Sequence, residues 1–282
     1  MRNRLIGAIS AGLLTLWLLA QASAQTTHWV VRHNGSGNSL DEAADIAVDD
    51  AGNVYVTGNS NNTDTGNDYV TIKYNTLGVR EWLATYNTPG TPPGNDKARA
   101  IAVDEAGNVY VTGFGSSNGG DIVTVRYNTD GIEQWVDRFD GGGNSYDEGL
   151  AITVDSAGNV YVTGRTGGVS SAISFATIKY NALGVRQWVR IYNGASNLVD
   201  IPSAIAVDSL GNVYVTGRSD GSATGPDYAT VKYNAAGVEQ WVKTYNNTNS
   251  TDVAEDLALD SSGNIYVTGW SGGILRTCPK IT

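Results

Sequence analysis

Apolar and polar positions alternate along this chain in short bursts separated by turn residues, and the bursts repeat. Residues 100–113 read AIAVDEAGNVYVTG, and near copies begin at Asp45, Ala151, Ala204 and Asp256. Within the copy, Ile101-Ala102-Val103 and Val109-Tyr110-Val111-Thr112 carry the β-branched and aromatic composition of strands. Asp104-Glu105-Ala106-Gly107-Asn108 joins them. An aspartate that caps backbone N–H groups, with a glycine three residues on that accepts positive φ, predicts a hairpin connection. Asp49, Asp155, Asp208 and Asp260 repeat this turn. The D-x-x-G-N spacing lacks the alternating oxygen ligands of a calcium loop, so these aspartates read as turn formers.

A second burst follows each first one. Tyr69-Val70-Thr71-Ile72-Lys73-Tyr74 leads through an Asn-x-x-Gly turn into Arg80-Glu81-Trp82-Leu83-Ala84-Thr85-Tyr86. Two hairpins per unit predict four antiparallel strands. Trp29, Trp82, Trp135, Trp188 and Trp241 stand 53 residues apart. A four-stranded unit repeating at this period is a β-propeller blade, and no 3.6-residue helical period competes with it. The recurrent tryptophan reads as a wedge between neighbouring blades. The expected architecture is all-β. Four complete blades lie at about 41–87, 96–140, 147–193 and 200–246, followed by a composite or incomplete blade.

That last blade, over 252–282 with a strand at 28–34, makes closure uncertain from sequence alone. Residues 28–34 match the fourth strand of a blade and predict a lone outer strand that could complete the last blade. Counting from Gly269, the basic residue of a third strand would fall at 282 or 284. Only residues 274–277 could serve as a shortened third strand, stopped by Pro279. A truncated member of a longer array is the rival.

The paired motifs AIAVDxxGNVYVTG and TIKYNxxGVRQWV resemble a bacterial β-propeller repeat family of exported proteins. The resemblance covers nearly all of residues 29–271. It implies an exported propeller of unassigned activity in rings usually described as seven-bladed, and this chain has too few repeats for seven.

The chain starts with features of a secretory signal over residues 1–24. Arg2 and Arg4 precede an apolar run over 5–20, and Ala22-Ser23-Ala24 offers a cleavage site before a single propeller domain at 25–282. An uncleaved anchor is the alternative, because the apolar run approaches membrane-spanning length. The expected location is secreted or periplasmic, with no membrane contact after cleavage. Loss of Arg2 and Arg4 takes the formal charge from −10 to −12. So acidic a domain argues against nucleic acid as a partner. The single cysteine, Cys278, allows no intramolecular disulfide.

Chemistry is sparse. His28 and His33 flank Trp29 and point to opposite faces of a strand, so a shared metal site is not expected. His33 takes the place of an aromatic found at Tyr86, Phe139, Tyr192 and Tyr245. No nucleophile elbow, zinc motif or phosphate loop is present. The glycine run at Gly141-Gly142-Gly143 precedes no helix. One polar feature recurs beyond the turns: Asp41, Asp96, Asp147, Asp200 and Asp252 each stand five residues before the first strand's leading Ile or Leu. Either each carboxylate caps backbone in its own loop, or together they form an acidic ring that attracts a cation such as calcium. Structural side chain–backbone bonds are far commoner than ion sites, which favours the cap.

The loops 59–68, 114–121, 165–174 and 218–227 lie on that same face. They diverge while the strands do not, and binding specificity usually resides in such loops. The functional expectation is a non-catalytic interaction or surface scaffold, binding protein or carbohydrate through these loops and using no cofactor. The alternatives are a propeller enzyme of lyase or lactonase type, with its site at the channel mouth, and a fragment of a larger propeller.

Overall fold

The computed structural model describes residues 28–90, 93–116, 119–142, 145–167, 172–221, 225–247, 250–272 and 280–281. Residues 1–24, read above as a signal, and the expected strand at 274–277 lie outside them. All regular structure among the described residues is β.

Blade 1 comprises β1 (Asp41–Val48), β2 (Val54–Asn62), β3 (Gly66–Tyr74) and β4 (Arg80–Tyr86). A two-residue strand, β5 (Gly94–Asn95), pairs with β3 in parallel as the chain enters the next blade. Blade 2 is β6 (Lys97–Val103), β7 (Val109–Gly115), β8 (Asp121–Tyr127) and β9 (Glu133–Phe139). Blade 3 is β10 (Glu148–Val154), β11 (Val160–Gly167), β12 (Ile173–Tyr180) and β13 (Arg186–Tyr192). Blade 4 is β14 (Asp200–Val207), β15 (Val213–Gly221), β16 (Gly225–Tyr233) and β17 (Glu239–Tyr245). The fifth blade has β18 (Asp252–Leu259), β19 (Ile265–Ser271) and β20 (Lys280–Ile281).

In every four-stranded blade, spatial order follows chain order and all main pairings are antiparallel. The first strands β1, β6, β10, β14 and β18 lie next to one another from blade to blade and so form the inner wall. Each carries a bulge at the residue three past the recurring aspartate that latches it to its neighbours (Asp41, Asp96, Asp147, Asp200 and Asp252): Ala44, Arg99, Leu150, Ser203 and Glu255. The bulge drives the strand's backbone against the glycine ending the VYVTG run. A Cβ at Gly164 would lie 2.1 Å from the Glu148 carbonyl oxygen, so only glycine fits.

The core lies between blades rather than within them. Tyr55, Tyr69 and Tyr86 of blade 1 pack with Ile101, Val109, Val111 and Val125 of blade 2. Equivalent clusters join blades 2 and 3, 3 and 4, and 4 and 5. The tryptophans sit at the outer end of these joints. Trp82 lies between Tyr55 of its own blade and Tyr127 of the next, over Gly131, and its Nε1 donates to the Thr129 carbonyl at 3.0 Å. Trp135 and Trp188 pack in the same way over Gly184 and Gly237, Trp188 Nε1 donating to the Ala235 carbonyl, and Trp241 packs on Tyr214. Gly131 has φ +77°, and the flat ring covers the space a side chain would need.

One expectation is corrected. Residues 28–34 form no strand, and among the described residues no third strand stands beside them to complete a ladder. The segment nevertheless occupies the fourth-strand place against blade 1: Trp29 packs on Tyr74, over Gly78, and donates to the Thr76 carbonyl at 3.3 Å. Among the described residues the third strand beside β19 is Lys280–Ile281, pairing with Tyr266 and Ile265, while the expected strand at 274–277 lies outside them. The fifth blade is therefore incomplete among the described residues.

Candidate functional site

The start of each first strand and the end of each second strand meet on one face, the mouth face. The five latch aspartates stand there, and four of them, Asp96, Asp147, Asp200 and Asp252, are fully buried. Each accepts a backbone N–H from the segment arriving out of the preceding fourth-strand position: Gly35 to Asp41, Thr88 to Asp96, Gly141 to Asp147, Gly194 to Asp200 and Asn247 to Asp252. These donors keep the 53-residue spacing of the tryptophans. The other oxygen reaches the end of the second strand in three blades, through the N–H groups of Asn61, Ser116 and Gly167. One carboxylate thus ties together an incoming loop, an inner strand and an outgoing loop. Among the described residues, no group of three or more His, Cys, Asp or Glu is arranged to hold a metal ion.

The opposite face carries the turn aspartates. Asp155 Oδ1 accepts the Asn159 N–H at 2.9 Å, and Oδ2 takes the Asn159 side-chain amide at 2.8 Å and the Tyr161 hydroxyl at 2.9 Å. Asp49, Asp104, Asp208 and Asp260 do the same with their own Asn and Tyr. The tyrosine hydroxyl was not foreseen as a partner, although Asn-x-Tyr follows each turn glycine.

Asp155 on one face and Asp147 and Asp200 on the other respond oppositely to acid. Burial pushes the Asp155 carboxyl up, but its four hydrogen bonds, the Ala157 N–H included, outweigh this and hold it below the usual carboxylate range. Burial pushes Asp147 and Asp200 above that range, only partly offset by the Gly141 and Gly194 N–H groups. Stability from the Asp155 carboxylate is present above its unfolded pKa of about 4 and lost as pH falls through the lower folded value. Protonation of Asp147 and Asp200 acts the other way, relieving a burial cost as pH falls. Asp155→Asn should therefore lag wild type in denaturant midpoint most at pH 6–7 and least below about pH 4. A gap unchanged down to pH 3 would contradict the assignment.

A non-repeating cluster occupies the mouth between blades 2 and 3. Arg99 Nε lies 2.6 Å from Glu148 Oε1, and Arg165 Nη2 lies 2.7 Å from Oε2. Glu148 is buried, whereas the two arginine side chains are 36% and 29% exposed. Arg165 also lies over the ring of Tyr146, which stacks on Phe114 with centroids 4.6 Å apart. In blade 4, Arg218 pairs with Asp220 at 2.7 Å. The cross-strand pair at this level differs in every blade: Glu42 with Asn59, Lys97 with Phe114, Glu148 with Arg165, Ile201 with Arg218, and Val253 with Trp270. The sequence signal for these residues was their departure from the repeat. The Arg99–Glu148 pairing joins residues 49 apart and has no local signature.

His33 Nε2 lies 3.3 Å from Ser60 Oγ, which donates to Asp41 Oδ1 at 2.6 Å. The serine–aspartate pair recurs at Ser116 with Asp96, so this contact belongs to the latch.

The repeats at residues 29–64, 90–122, 134–169, 187–222 and 240–276 match the Beta-propeller repeat family, and the chain belongs to it. No curated protein sequence matches the chain. Among solved structures, it is similar to virginiamycin B lyase from Staphylococcus aureus, with 15% identity and a TM-score of 0.50 over 85% of this chain and 66% of that one. It is also similar to an ulvan lyase bound to -[GlcA(1-4)Rha3S]-, with 10% identity and a TM-score of 0.52 over 81% of this chain and 61% of that one. The periplasmic gluconolactonase of Pseudomonas aeruginosa matches at 9% identity and a TM-score of 0.49, over 81% and 65%. The chain spans about two thirds or less of each. At such identities the likeness shows the fold alone.

Proposed function

We propose that this propeller is an exported, non-catalytic scaffold that binds a protein or carbohydrate partner through the mouth face. The observation that carries the reading is the division of roles on that face. The recurring carboxylates are taken up by backbone N–H groups, while the rim pairs beside them differ from blade to blade. A fixed scaffold with a variable rim is how a binding specificity is built without a reacting centre. The apolar leader of residues 5–20 supports export, and the acidic balance suits a partner other than nucleic acid.

A lyase or lactonase site at the same mouth is the second reading. It is favoured by the convergence of Arg99, Tyr146, Glu148 and Arg165 from non-equivalent positions. Against it, both Glu148 oxygens are engaged by guanidinium groups, which hold the carboxylate in place rather than leaving it aimed at a substrate. The test is a panel of soluble polysaccharides and cell-surface proteins titrated against wild type and an Arg218→Ala/Trp270→Ala rim variant. Binding should weaken at least tenfold, about 1.4 kcal/mol, with the melting temperature retained. Turnover of a polysaccharide or lactone that a single rim substitution abolishes would replace this reading with the enzymatic one.

A further inference from the structure

The stack of blades ends in two faces that elsewhere in the molecule are buried against each other. In each interior joint, the tyrosine of the VYVTG strand is covered by the next blade: Tyr55, Tyr110, Tyr161 and Tyr214 are buried. Their equivalent on β19, Tyr266, is 38% exposed, and Trp270 on the same side of the strand is open as well. At the other end, Ile46 of β1 is 61% exposed, whereas Ile101, its equivalent in blade 2, is 6% exposed beneath Tyr55 and its neighbours. Val48 is exposed in the same way. The blade 1 face holds a groove of about 310 Å³ between the N-terminal segment at Val31 and His33 and the strand residues Val56, Val70, Ile72 and Tyr74, the last three already buried beside Trp29. These are the positions at which the other blades receive the preceding blade.

The two faces are also incomplete in complementary ways. Blade 5 supplies β18, β19 and β20 but no fourth strand among the described residues. The blade 1 face already carries the fourth-strand groups of a preceding blade, supplied by its own N-terminal segment. Trp29 sits over Gly78, and the Gly35 N–H is latched to Asp41 at 3.0 Å. What one end lacks, the other end holds.

We propose that blade 5 of one copy docks on the blade 1 face of a second copy, head to tail. The strands β18–β20 of the first and residues 28–35 of the second then make one composite blade. The contact continues an interface the molecule already builds four times, with the same residue types on each side. It is heterologous, so its rotation decides whether copies close a ring or run on as a chain. Like-charged acidic chains repel, so association should strengthen as salt rises.

Analytical ultracentrifugation of the purified chain tests this. Wild type should show concentration-dependent mass above the monomer. Ile46→Asp disables the blade 1 face and Tyr266→Ser the blade 5 face, and both alter exposed side chains, so the fold should survive. Each variant alone should associate at least tenfold more weakly. Mixed, they retain one live face of each kind, and should give a 1:1 dimer that does not extend. A wild type that stays monomeric at all accessible concentrations overturns the proposal, including the case in which Tyr266 proves protected by closure within one chain. So does self-association that both variants leave intact, or a mixture that forms no dimer.

Discussion

Asp96→Asn should cost about 2–4 kcal/mol in urea denaturation, in calcium and in chelator alike. The native carboxylate accepts four hydrogen bonds: the Thr88 N–H at 2.7 Å, the Thr88 hydroxyl at 2.8 Å, the Ser116 N–H at 2.7 Å and the Ser116 hydroxyl at 3.0 Å. Asparagine keeps the shape but turns one oxygen into an NH2 donor facing another donor. A buried N–H then loses its acceptor, and bonds to a charged acceptor are worth more than neutral ones. Under a cation-ring role, calcium would raise the melting temperature and the substitution would abolish that rise. The same variant thus separates the two roles. A loss of stability confined to calcium-containing buffer would refute the latch.

Trp188→Ala should destabilise by about 3–5 kcal/mol, the range for large aromatics removed from a core. Its ring packs between Tyr161 and Tyr233, covers Gly237, and donates through Nε1 to the Ala235 carbonyl at 3.2 Å. Truncation opens a void that spans two blades, and neither sheet can close it without shifting. Trp29→Ala should cost only about 1–2 kcal/mol, since Trp29 has Tyr74 on one side and no sheet of its own behind it. Equilibrium unfolding of the two variants side by side measures the difference. Equal losses would mean that the N-terminal segment is held as firmly as an interior strand, and no loss at Trp188 would remove the wedge altogether.

The blades were legible in the sequence because their determinants are local. Asp104, Gly107 and Asn108 lie within one turn, and the alternation in Val109-Tyr110-Val111-Thr112 assigns each side chain its face. The cadence of the latch aspartates was equally plain. What they bond was not, because Thr88 and Ser116 lie 8 and 20 residues from Asp96 and meet it only once strand lengths and the bulge are fixed. The Arg99–Glu148 contact was hidden for a stronger reason. It depends on how two blades are rotated against each other, which no periodicity records. The N-terminal segment shows the limit from the other side: its residues match a fourth strand, but a strand exists only where a neighbour offers its N–H and C=O groups.

The sequential order of strands within each sheet also governs how the molecule comes to be folded. Ladder partners are joined by single turns or short loops, and the long-range contacts run between adjacent blades. Loop-closure entropy is therefore spent in small instalments, a regime in which chains find their native pairings quickly. Each hairpin pair can form as soon as its own stretch is free, and then gains most of its stability when its neighbour arrives. A chain threaded across a membrane from its N-terminus would assemble in this way one blade at a time. Blade 1 would wait with its tyrosines uncovered until blade 2 emerged to bury them.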